Sequence, residues 1–385
     1  MMEIIIYDPA GAHLSLLPLT YTRPVGDLRI GITTIAEKWQ HLLPGSYSWH
    51  TEDYLSELFP CTDHAEDALW IAGNVVPTPA LARAVAALAP GEQLTAGSVE
   101  VARGGCAATA TVAFDGEIPV VINRPYDIFL NNARAIGADF AMLTAGRDSQ
   151  PLSPTVQVIG PRERIFVEEG ASLECCVLNT TAGPVYIGAG ATVMEGSLVR
   201  GPFALGEHAT VNMGTKIFPG TTVGPWCKVG GELNNAVLHS YTNKAHDGFL
   251  GNAVVGAWCN LGAGCVASNL KNSYELIRVW NYAAHRFERT QLQFCGLIMG
   301  DHSKAGINTS FNTATVVGVG CNIYGPGMPR PFVPSFSFGG AAGFSQLPMQ
   351  QFFDTAAHAM SRRNVRLSDA ERRLFEAIRD AAEGL

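Results

Sequence analysis

The sequence predicts an α/β domain followed by a parallel β-helix and a terminal helix. Three observations lead to this fold class. A strict six-residue repeat begins at about residue 159, the first 150 residues lack that repeat, and an amphipathic pattern lies near the C-terminus. The 385 residues, of which 47% are hydrophobic, are enough for two domains with a large core.

The repeat places an aliphatic residue at every sixth position. Its first run comprises Ile187, Val193, Val199, Leu205, Val211, Ile217, Val223 and Val229. The register returns at Phe249, Val255, Leu261 and Ala267, and again at Met299, Ala305, Phe311, Val317 and Ile323. Small residues such as Ala191, Thr215 and Cys259 lie four residues after positions of this register. A period of six matches neither an α-helix nor a flat sheet, and it is typical of a parallel β-helix whose aliphatic residues point inward.

The regions outside the repeat have a different pattern. The segments "EIIIY", "ALWIAGNVV", "PALARAVAALA" and "YDIFLNNARAIGADFAML" predict an α/β domain with a mainly parallel sheet over residues 1–150. A polar, proline-bearing stretch places the domain boundary at about residues 148–158, and the β-helix is expected over 159–345. Residues 270–298 interrupt the repeat, and we expect them to project as a loop or short hairpin that could serve binding.

Residues 346–385 are predicted to form a tail with a terminal helix. Ser368 and Glu371 have the spacing of a capping box ahead of an amphipathic pattern. Stacked coils leave an open sheet edge at each end, so we expect the tail to cover one of these edges.

Composition excludes several classes of function. The net charge is −8 and no lysine- or arginine-rich tract is present, so nucleic acid is not an expected partner. No apolar run reaches the roughly 18 residues of a membrane span, and the N-terminal segment reads as a first strand rather than a secretory signal. The nine cysteines have no CxxC spacing and are expected to be reduced packing residues, which favours a cytoplasmic location.

Three motifs carry a family resemblance. The stretch "NKAHDGFLGNAVVGAWCNLGAGCVASN" resembles the acetyltransferase domain of the bifunctional enzyme GlmU, an N-acetylglucosamine-1-phosphate uridyltransferase and glucosamine-1-phosphate N-acetyltransferase. With "LPLTYTRPVGDLRIG" and "CGLIMGDHSKAGINT", the chain is most similar to a divergent GlmU-like branch from Bacteroidetes. The resemblance implies a Rossmann-like nucleotidyltransferase-type domain and a left-handed β-helix that forms homotrimers and binds acetyl-CoA between neighbours.

The resemblance also implies roles for four residues. His246 falls on the family's general base, which takes a proton from an amine as it attacks a thioester. Asn269 falls on a residue that contacts the reacting amine and acetyl group, and Asn260 on one that contacts the sugar phosphate. Ala263 falls where the backbone meets the pantetheine arm. The alternative interpretation is that the histidine is a surface turn residue and the asparagines occupy left-handed turn corners.

Two departures from the family pattern concern the acceptor. Phe249 replaces a tyrosine, and Asn234 stands where the family has a lysine. A phosphate needs charge-assisted donors, so another cation would have to hold it. The candidates are Lys216, Lys244, Lys271 and Arg278, although each could be ordinary surface charge. Glucosamine 1-phosphate is the acceptor that the resemblance implies.

The N-terminal domain departs further. The "PLT" segment is present, but the preceding loop holds only Gly11, and the loop arginine and the lysine of the family's "PK" motif are missing. Arg23 and Arg29 are candidates for binding a triphosphate such as UTP, or they could brace the loop. Asn74 stands where the family has an aspartate that holds Mg²⁺, and an amide is a poor ligand for this cation. Three aspartates could replace it, and the sequence does not choose among them: Asp8, Asp27 and Asp127.

Three hypotheses follow. The favoured one is an acetyl-CoA-dependent N-acetyltransferase acting on an amino-sugar phosphate, with a UDP-N-acetylglucosamine pyrophosphorylase activity in the N-terminal domain. The second is a catalytically degenerate nucleotidyltransferase-like scaffold or regulatory protein. The third, a γ-type carbonic anhydrase, is disfavoured because it needs an HxxxxH pair and no two histidines here are five residues apart.

Overall fold

The N-terminal domain is built on a mixed six-stranded sheet. The computed structural model describes residues 2–62 and 66–382. The strands are β1 (Glu3–Tyr7), β2 (Ser46–His50), β3 (Leu69–Ala72), β4 (Glu92–Ala96), β5 (Val99–Gly104) and β6 (Ala110–Ala113), in the order β2-β1-β3-β5-β4-β6. The β1/β2, β1/β3 and β4/β6 pairs are parallel, whereas β5 runs antiparallel to β3 and to β4. The prediction of a mainly parallel sheet is therefore right only for part of it.

Helices flank this sheet. They are α1 (Ala12–Ser15), α2 (Ile35–Leu42), α3 (Pro79–Ala86) and α4 (Pro125–Thr144). Thr34 and Glu37 form a capping box at the start of α2, and the Thr78 side chain caps α3. Short 3₁₀ turns lie at Val25–Asp27 and Asp53–Leu55.

The second domain is a parallel β-helix made of very short strands. They begin with β7 (Gln157–Ile159), β8 (Ile165–Val167), β9 (Ser172–Leu173), β10 (Val177–Asn179), β11 (Val185–Ile187), β12 (Thr192–Val193), β13 (Leu198–Arg200), β14 (Phe203–Leu205), β15 (Thr210–Val211), β16 (Lys216–Ile217), β17 (Thr221–Val223) and β18 (Lys228–Val229). They continue with β19 (Glu232–Leu238), β20 (Asn243–Lys244), β21 (Phe249–Val255), β22 (Asn260–Leu261), β23 (Val266–Ala267), β24 (Arg278–Asn281), β25 (Arg286–Arg289), β26 (Ile298–Met299), β27 (Lys304–Ala305), β28 (Ser310–Phe311), β29 (Val316–Val317), β30 (Asn322–Ile323), β31 (Phe332–Val333), β32 (Ser337–Gly340) and β33 (Gly343–Gln346).

Parallel pairing arranges these strands into three faces. The first face runs from β7 through β10, β13, β16 and the start of β19 to β28. The second runs from β8 through β11, β14, β17 and the end of β19 to β31. The third runs from β9 through β12, β15, β18, β20, β22, β27 and β30 to β32, and β33 then adds to its edge antiparallel. The predicted β-helix fold is confirmed.

The inward ladder forms the core of the β-helix. Val193, Val211, Val223, Leu261 and Val317 are all at most 3% exposed, and the small positions such as Ala191 and Cys259 are buried beside them. Burial of each such aliphatic side chain contributes about 1.5–3 kcal/mol. Six of the cysteines are buried, which fits the predicted packing role: Cys176, Cys227, Cys259, Cys265, Cys295 and Cys321.

One part of the predicted ladder is wrong. Leu250, not Phe249, lies opposite Leu233 and is fully buried, while Phe249 occupies the outward position beside Glu232. The inward position on the preceding third-face strand is held by Lys244, opposite Val229. The register slips because the step from Leu250 to Val255 spans five residues, so that counting back by six from Val255 gives the wrong residue.

The N-terminal domain lies on the second face of the β-helix. Helix α4 packs on β17, β19 and β21, where Asn132 Nδ2 donates to the Gly220 carbonyl and to Thr222 Oγ1, at 2.7 and 2.9 Å. The hairpin of β24 and β25 within the insertion also packs against this domain, and the rings of Tyr282 and Tyr21 make an edge contact at 5.8 Å. The insertion therefore contacts the other domain and does not project freely.

The C-terminal tail contains two helices, α5 (Met349–Ser361) and α6 (Asp369–Ala382). The predicted capping box of Ser368 and Glu371 is present at the start of α6, and α5 was not predicted. An exposed ion pair between Arg373 and Glu57 at 2.6 Å connects α6 to the N-terminal domain. The last residues of the predicted tail, 383–385, lie outside the described residues.

Across residues 2–62 and 66–382, no helix is both long enough and apolar enough to span a membrane.

Candidate functional site

The outward positions of the third face form the floor of a cleft. Lys228, Asn243, Asn260 and Lys304 occupy successive rungs, each paired in register with the next. Adjacent strands lie about 4.8 Å apart, so the row presents two amides between two ammonium groups. The sequence register places Asn260 in this row because it precedes the inward residue Leu261.

A column of aromatic rings forms one wall of the cleft. Its members are His208, Trp226, Tyr241, Trp258 and His302, all at positive φ between 52° and 61°. The shared left-handed conformation at one corner of each coil directs these rings the same way, so they stack. Tyr241 and Trp258 line the cleft with nearly parallel rings, whose centroids are 4.1 Å apart.

The end of α5 covers the floor. His358, Ala359, Arg362 and Arg363 line the cleft from this side, and Arg363 Nη2 donates to Asn243 Oδ1 at 3.3 Å. The space between the floor, the aromatic wall and the end of α5, here called the tail cleft, has a volume of about 550 Å³. Its positive residues, the cleft cations, are Lys228, Lys304, Arg362 and Arg363.

Lys304 is held at the aromatic wall. Its Nζ donates to the carbonyl oxygens of Trp258 and His302, at 2.6 and 3.0 Å. Burial lowers the pKa of this ammonium from its ordinary value to about 8. A bound anion would place negative charge beside the Lys304 ammonium and would therefore favour its protonated form.

His246 lies at the opposite side of the cleft, on a turn between the third and first faces. Three donors fix the carbonyls of this turn: Asn212 Nδ2 binds the Ala245 oxygen at 2.7 Å, Lys244 Nζ the His246 oxygen at 2.5 Å, and the Gly264 amide the Asp247 oxygen at 3.0 Å. The imidazole itself is exposed. The arrangement holds the backbone in place while leaving the ring accessible to a substrate.

Lys244 does not face the cleft, although the sequence made it a candidate for substrate binding. It is 1% exposed, and its Nζ donates to the carbonyls of Gly230 and His246. Burial lowers its pKa to about 8. The ammonium thus positions the His246 turn from inside the coil.

The other predicted acyl-transfer residues surround the same corner. Ala263 lies on the next coil of this corner, where the adjoining Gly264 binds Asp247, and its carbonyl accepts from the Asn308 amide at 2.8 Å. Phe249 and Asn269 belong to the first face and its far corner, outside the tail cleft, and Asn269 Nδ2 donates to Asn252 Oδ1 at 2.8 Å. The structure therefore brings His246 and Asn260 together and leaves Asn269 apart from them within one chain.

The cations predicted from sequence lie elsewhere. Lys216 is exposed on the first face, Lys271 lies 3.9 Å from Glu275, and Arg278 donates to the Phe287 carbonyl within the hairpin. The cleft cations were not predicted. Lys228 and Lys304 could have been found, since each directly precedes an inward residue of the repeat, whereas Arg362 and Arg363, which follow α5, could not.

Arg23 and Arg29 are buried where the two domains meet. Arg23 Nη2 binds Asp301 Oδ2 and its other terminal nitrogen contacts His239, while Arg29 Nε donates to the His239 carbonyl at 3.0 Å. Asp301 also accepts from Thr22 and from the Ala257 amide, at 2.8 Å each. Nucleotide binding by these arginines stays a prediction, and their contacts favour the alternative of bracing.

The aspartates of the N-terminal domain do not converge on a metal site. Asp8 accepts from the Val25 amide and from Thr51, and it pairs with His13 at 2.8 Å. Asp127 accepts from two backbone amides at the start of α4, and Asn74 donates to Asn123 Oδ1 at 3.0 Å. Burial raises the pKa of Asp27 to about 6. Within the described ranges, no group of three His, Cys, Asp or Glu residues is placed so that it could hold a metal ion.

Comparison with known proteins supports the family resemblance. Residues 4–148 match the family model described as sugar nucleotidyl transferase. The bifunctional protein GlmU of Gloeobacter violaceus is 34% identical over 91 residues, covering 23% of this chain and 20% of that protein. The protein of the same name from Cyanothece sp. is 25% identical over 211 residues, covering 49% and 42%. The chain thus spans less than half the length of these curated relatives.

Solved structures add a weaker likeness. An Arabidopsis UDP-N-acetylglucosamine acyltransferase aligns at 17% identity over 60% of this chain and 90% of that one, with a TM-score of 0.24, which is too low to bear on the argument. This chain is accordingly similar to the GlmU proteins over part of its length, and residues 4–148 match the sugar nucleotidyl transferase family.

Proposed function

We propose that the β-helix transfers an acetyl group from acetyl-CoA to the amine of an amino-sugar phosphate, with glucosamine 1-phosphate as the acceptor. The observation that carries this proposal is the tail cleft, in which His246 and Asn260 share a space of about 550 Å³ with the cleft cations. Histidine and amide groups suit an amine, and positive charge suits a phosphate.

His246 acts as the general base in this reaction. It takes a proton from the acceptor nitrogen as that nitrogen attacks the thioester carbonyl. A carbon–nitrogen bond forms, the carbon–sulfur bond breaks, and the departing thiolate of CoA takes up a proton. Asn260 orients the acceptor from the floor, and the backbone at Ala263 adjoins the pantetheine arm.

Assembly into a homotrimer accompanies this function. Exposed apolar side chains on the first face and on the corner that carries His246 support such contacts: Leu198, Met213, Val266 and Ile307. Exposed apolar patches commonly mark interfaces between proteins. In the assembly, Phe249 of the first face and Asn269 at its far corner complete the site from the side opposite the cleft.

A second candidate function concerns the N-terminal domain. The family match over residues 4–148 supports a UDP-N-acetylglucosamine pyrophosphorylase that uses UTP. The contacts of Asp8, Arg23 and Asn74 favour the alternative, a non-catalytic scaffold, because Asp8 accepts from the Val25 amide, Arg23 binds Asp301 and Asn74 Nδ2 donates to Asn123. Incubation with UTP, N-acetylglucosamine 1-phosphate and Mg²⁺ decides between them, since only the enzyme releases pyrophosphate.

The test of acyl transfer is release of free CoA from acetyl-CoA in the presence of glucosamine 1-phosphate. We expect His246→Ala to lower kcat by about 10²-fold or more. The control is His285→Ala, which removes another exposed histidine, on the turn of the insertion hairpin, and is expected to leave turnover unchanged. No CoA release by the unaltered protein would refute the assignment, and unchanged turnover of His246→Ala would remove this residue from the mechanism.

A further inference from the structure

The tail cleft concentrates positive charge that the chain does not neutralise. Its lining contains the four cleft cations and no carboxylate. In the part of the chain that the structure describes, none of the four forms an ion pair with Asp or Glu. Like charges that share one cleft repel each other, and the repulsion is relieved when an anion enters.

We propose that α5 completes the acceptor site, with Arg362 and Arg363 binding the phosphate of the acceptor sugar. This inference rests on the proposed function and assigns its phosphate to residues of the tail.

The side chains fit a phosphate monoester in particular. A guanidinium group presents a planar fork of donors that binds two phosphate oxygens at once, and two such groups in sequence offer more donors than one carboxylate can accept. Lys228 and Lys304 add point charges at the two ends of the floor. A dianion with three terminal oxygens can use both kinds of donor.

The rest of the cleft fits the sugar. Asn260 lies one rung from Lys304, and His246 faces the same space from its far side. When Arg362 and Arg363 bind the phosphate of the acceptor sugar, the amine of the same molecule therefore lies in the part of the cleft that contains the His246 imidazole. The flat faces of Tyr241 and Trp258 offer an apolar surface for the ring between these two groups.

The tail adds cations to those of the repeat. The repeat contributes Lys228 and Lys304 to the cleft, whereas Lys216 and Lys271 lie outside it. Arg363 reaches the floor through its bond to Asn243, so the helix end is held over the site. Specificity for a phosphorylated acceptor then depends on α5 and not on the β-helix alone.

The test is isothermal titration of the 385-residue chain with glucosamine 1-phosphate, glucosamine, inorganic phosphate and CoA in separate experiments. The variant is Arg362→Gln with Arg363→Gln, and the control is Arg366→Gln, which removes an exposed arginine of the same segment that does not line the cleft. We expect the double variant to weaken the binding of glucosamine 1-phosphate and of inorganic phosphate by about 10-fold or more, with no change for the control. Arg363→Lys keeps the charge and is expected to weaken binding less, which separates loss of donors from misfolding.

Three results would overturn the inference: no binding of glucosamine 1-phosphate to the unaltered protein, equal affinity in the double variant, or a loss confined to CoA. The proposed function fails separately. Acetyl transfer that persists with an unchanged KM in the double variant would remove α5 from the acceptor site but leave the enzyme. Arginine-dependent phosphate binding without CoA release would keep the phosphate site and refute the transferase.

Discussion

Lys244 provides a quantitative test of how the β-helix tolerates a charge in its inward ladder. It is 1% exposed, and burial lowers its pKa from 10.5 to about 8. Between these two values the unfolded chain binds more protons than the folded one, so the free energy of unfolding rises with pH. For this single group, the increase from pH 7 to pH 9.5 is about 2 kcal/mol.

The perturbation is Lys244→Met, which keeps a long side chain in the ladder but removes the titrating group. Two hydrogen bonds to the carbonyls of Gly230 and His246 are lost as well, and their cost does not depend on pH. We therefore expect the stability of the variant relative to the unaltered protein to fall by about 2 kcal/mol between pH 7 and pH 9.5. Lys304 is present in both proteins, so its titration cancels.

The measurement is urea-induced unfolding, followed by tryptophan fluorescence at several pH values across this range. Lys216→Met, on the exposed outer side of the first face, is the matched control and should give a constant difference. A difference for Lys244→Met that stays constant within about 0.5 kcal/mol would show that this ammonium is not titrating below its unfolded pKa, and the physical account of its burial would be wrong.

Two further substitutions test the register and the domain contact. Leu250→Ala should lower the free energy of unfolding by about 2–5 kcal/mol. Leu198→Ala, at an outward position that is 52% exposed, should lower it much less. Equal losses of stability would contradict the observed register. Asp301→Asn leaves Arg23 buried without its carboxylate and should destabilise the protein by about 3 kcal/mol or more, measured by the same unfolding assay. Increased proteolysis between the domains should accompany that loss, and an unaltered urea midpoint would show that the pair does not hold the domains together.

The β-helix could be predicted because an aliphatic residue recurs at every sixth position of the sequence. The inward positions from Ile187 to Val229 and from Met299 to Ile323 are buried as expected. The prediction failed only at Phe249 and Lys244, where the coil changes length. Counting inward positions every six residues misses a step of five residues. A buried lysine in an aliphatic ladder contradicts hydrophobic patterning, so only the pairing of strands reveals it.

The sequence contains a pattern that marks the contact between the domains, but a search for hydrophobic periodicity alone does not recognise it. On the second face, the outward residue just before the inward one is also aliphatic, at Val237, Val254, Ile298 and Val316. These residues are at most 4% exposed because the N-terminal domain or the tail covers them. On the third face the same position is polar, as at Asn243 and Asn260. Paired aliphatic residues thus distinguish a covered face from an open one.

The candidate site was predictable only in part. His246 and Asn260 were found from their motif, and the structure places both in the tail cleft. Arg362 and Arg363 could not be identified as site residues, because the local sequence of α5 does not indicate which side of the β-helix this helix packs against. Aromatic residues decide this, since Phe352 of α5 and Phe375 of α6 make edge contacts with His302, at 5.8 and 5.2 Å.

The position of α4 on the second face has a consequence for how copies of the chain can meet. One side of the three-sided prism is occupied by the chain's own N-terminal domain, and the third face lies partly beneath α5. The first face and its corner with the third, where His246 and Ala263 lie, are the parts of the β-helix surface that these elements leave uncovered. A self-association surface on the uncovered part of the β-helix would therefore border the proposed reaction site, so that the same few residues would affect both substrate access and quaternary structure.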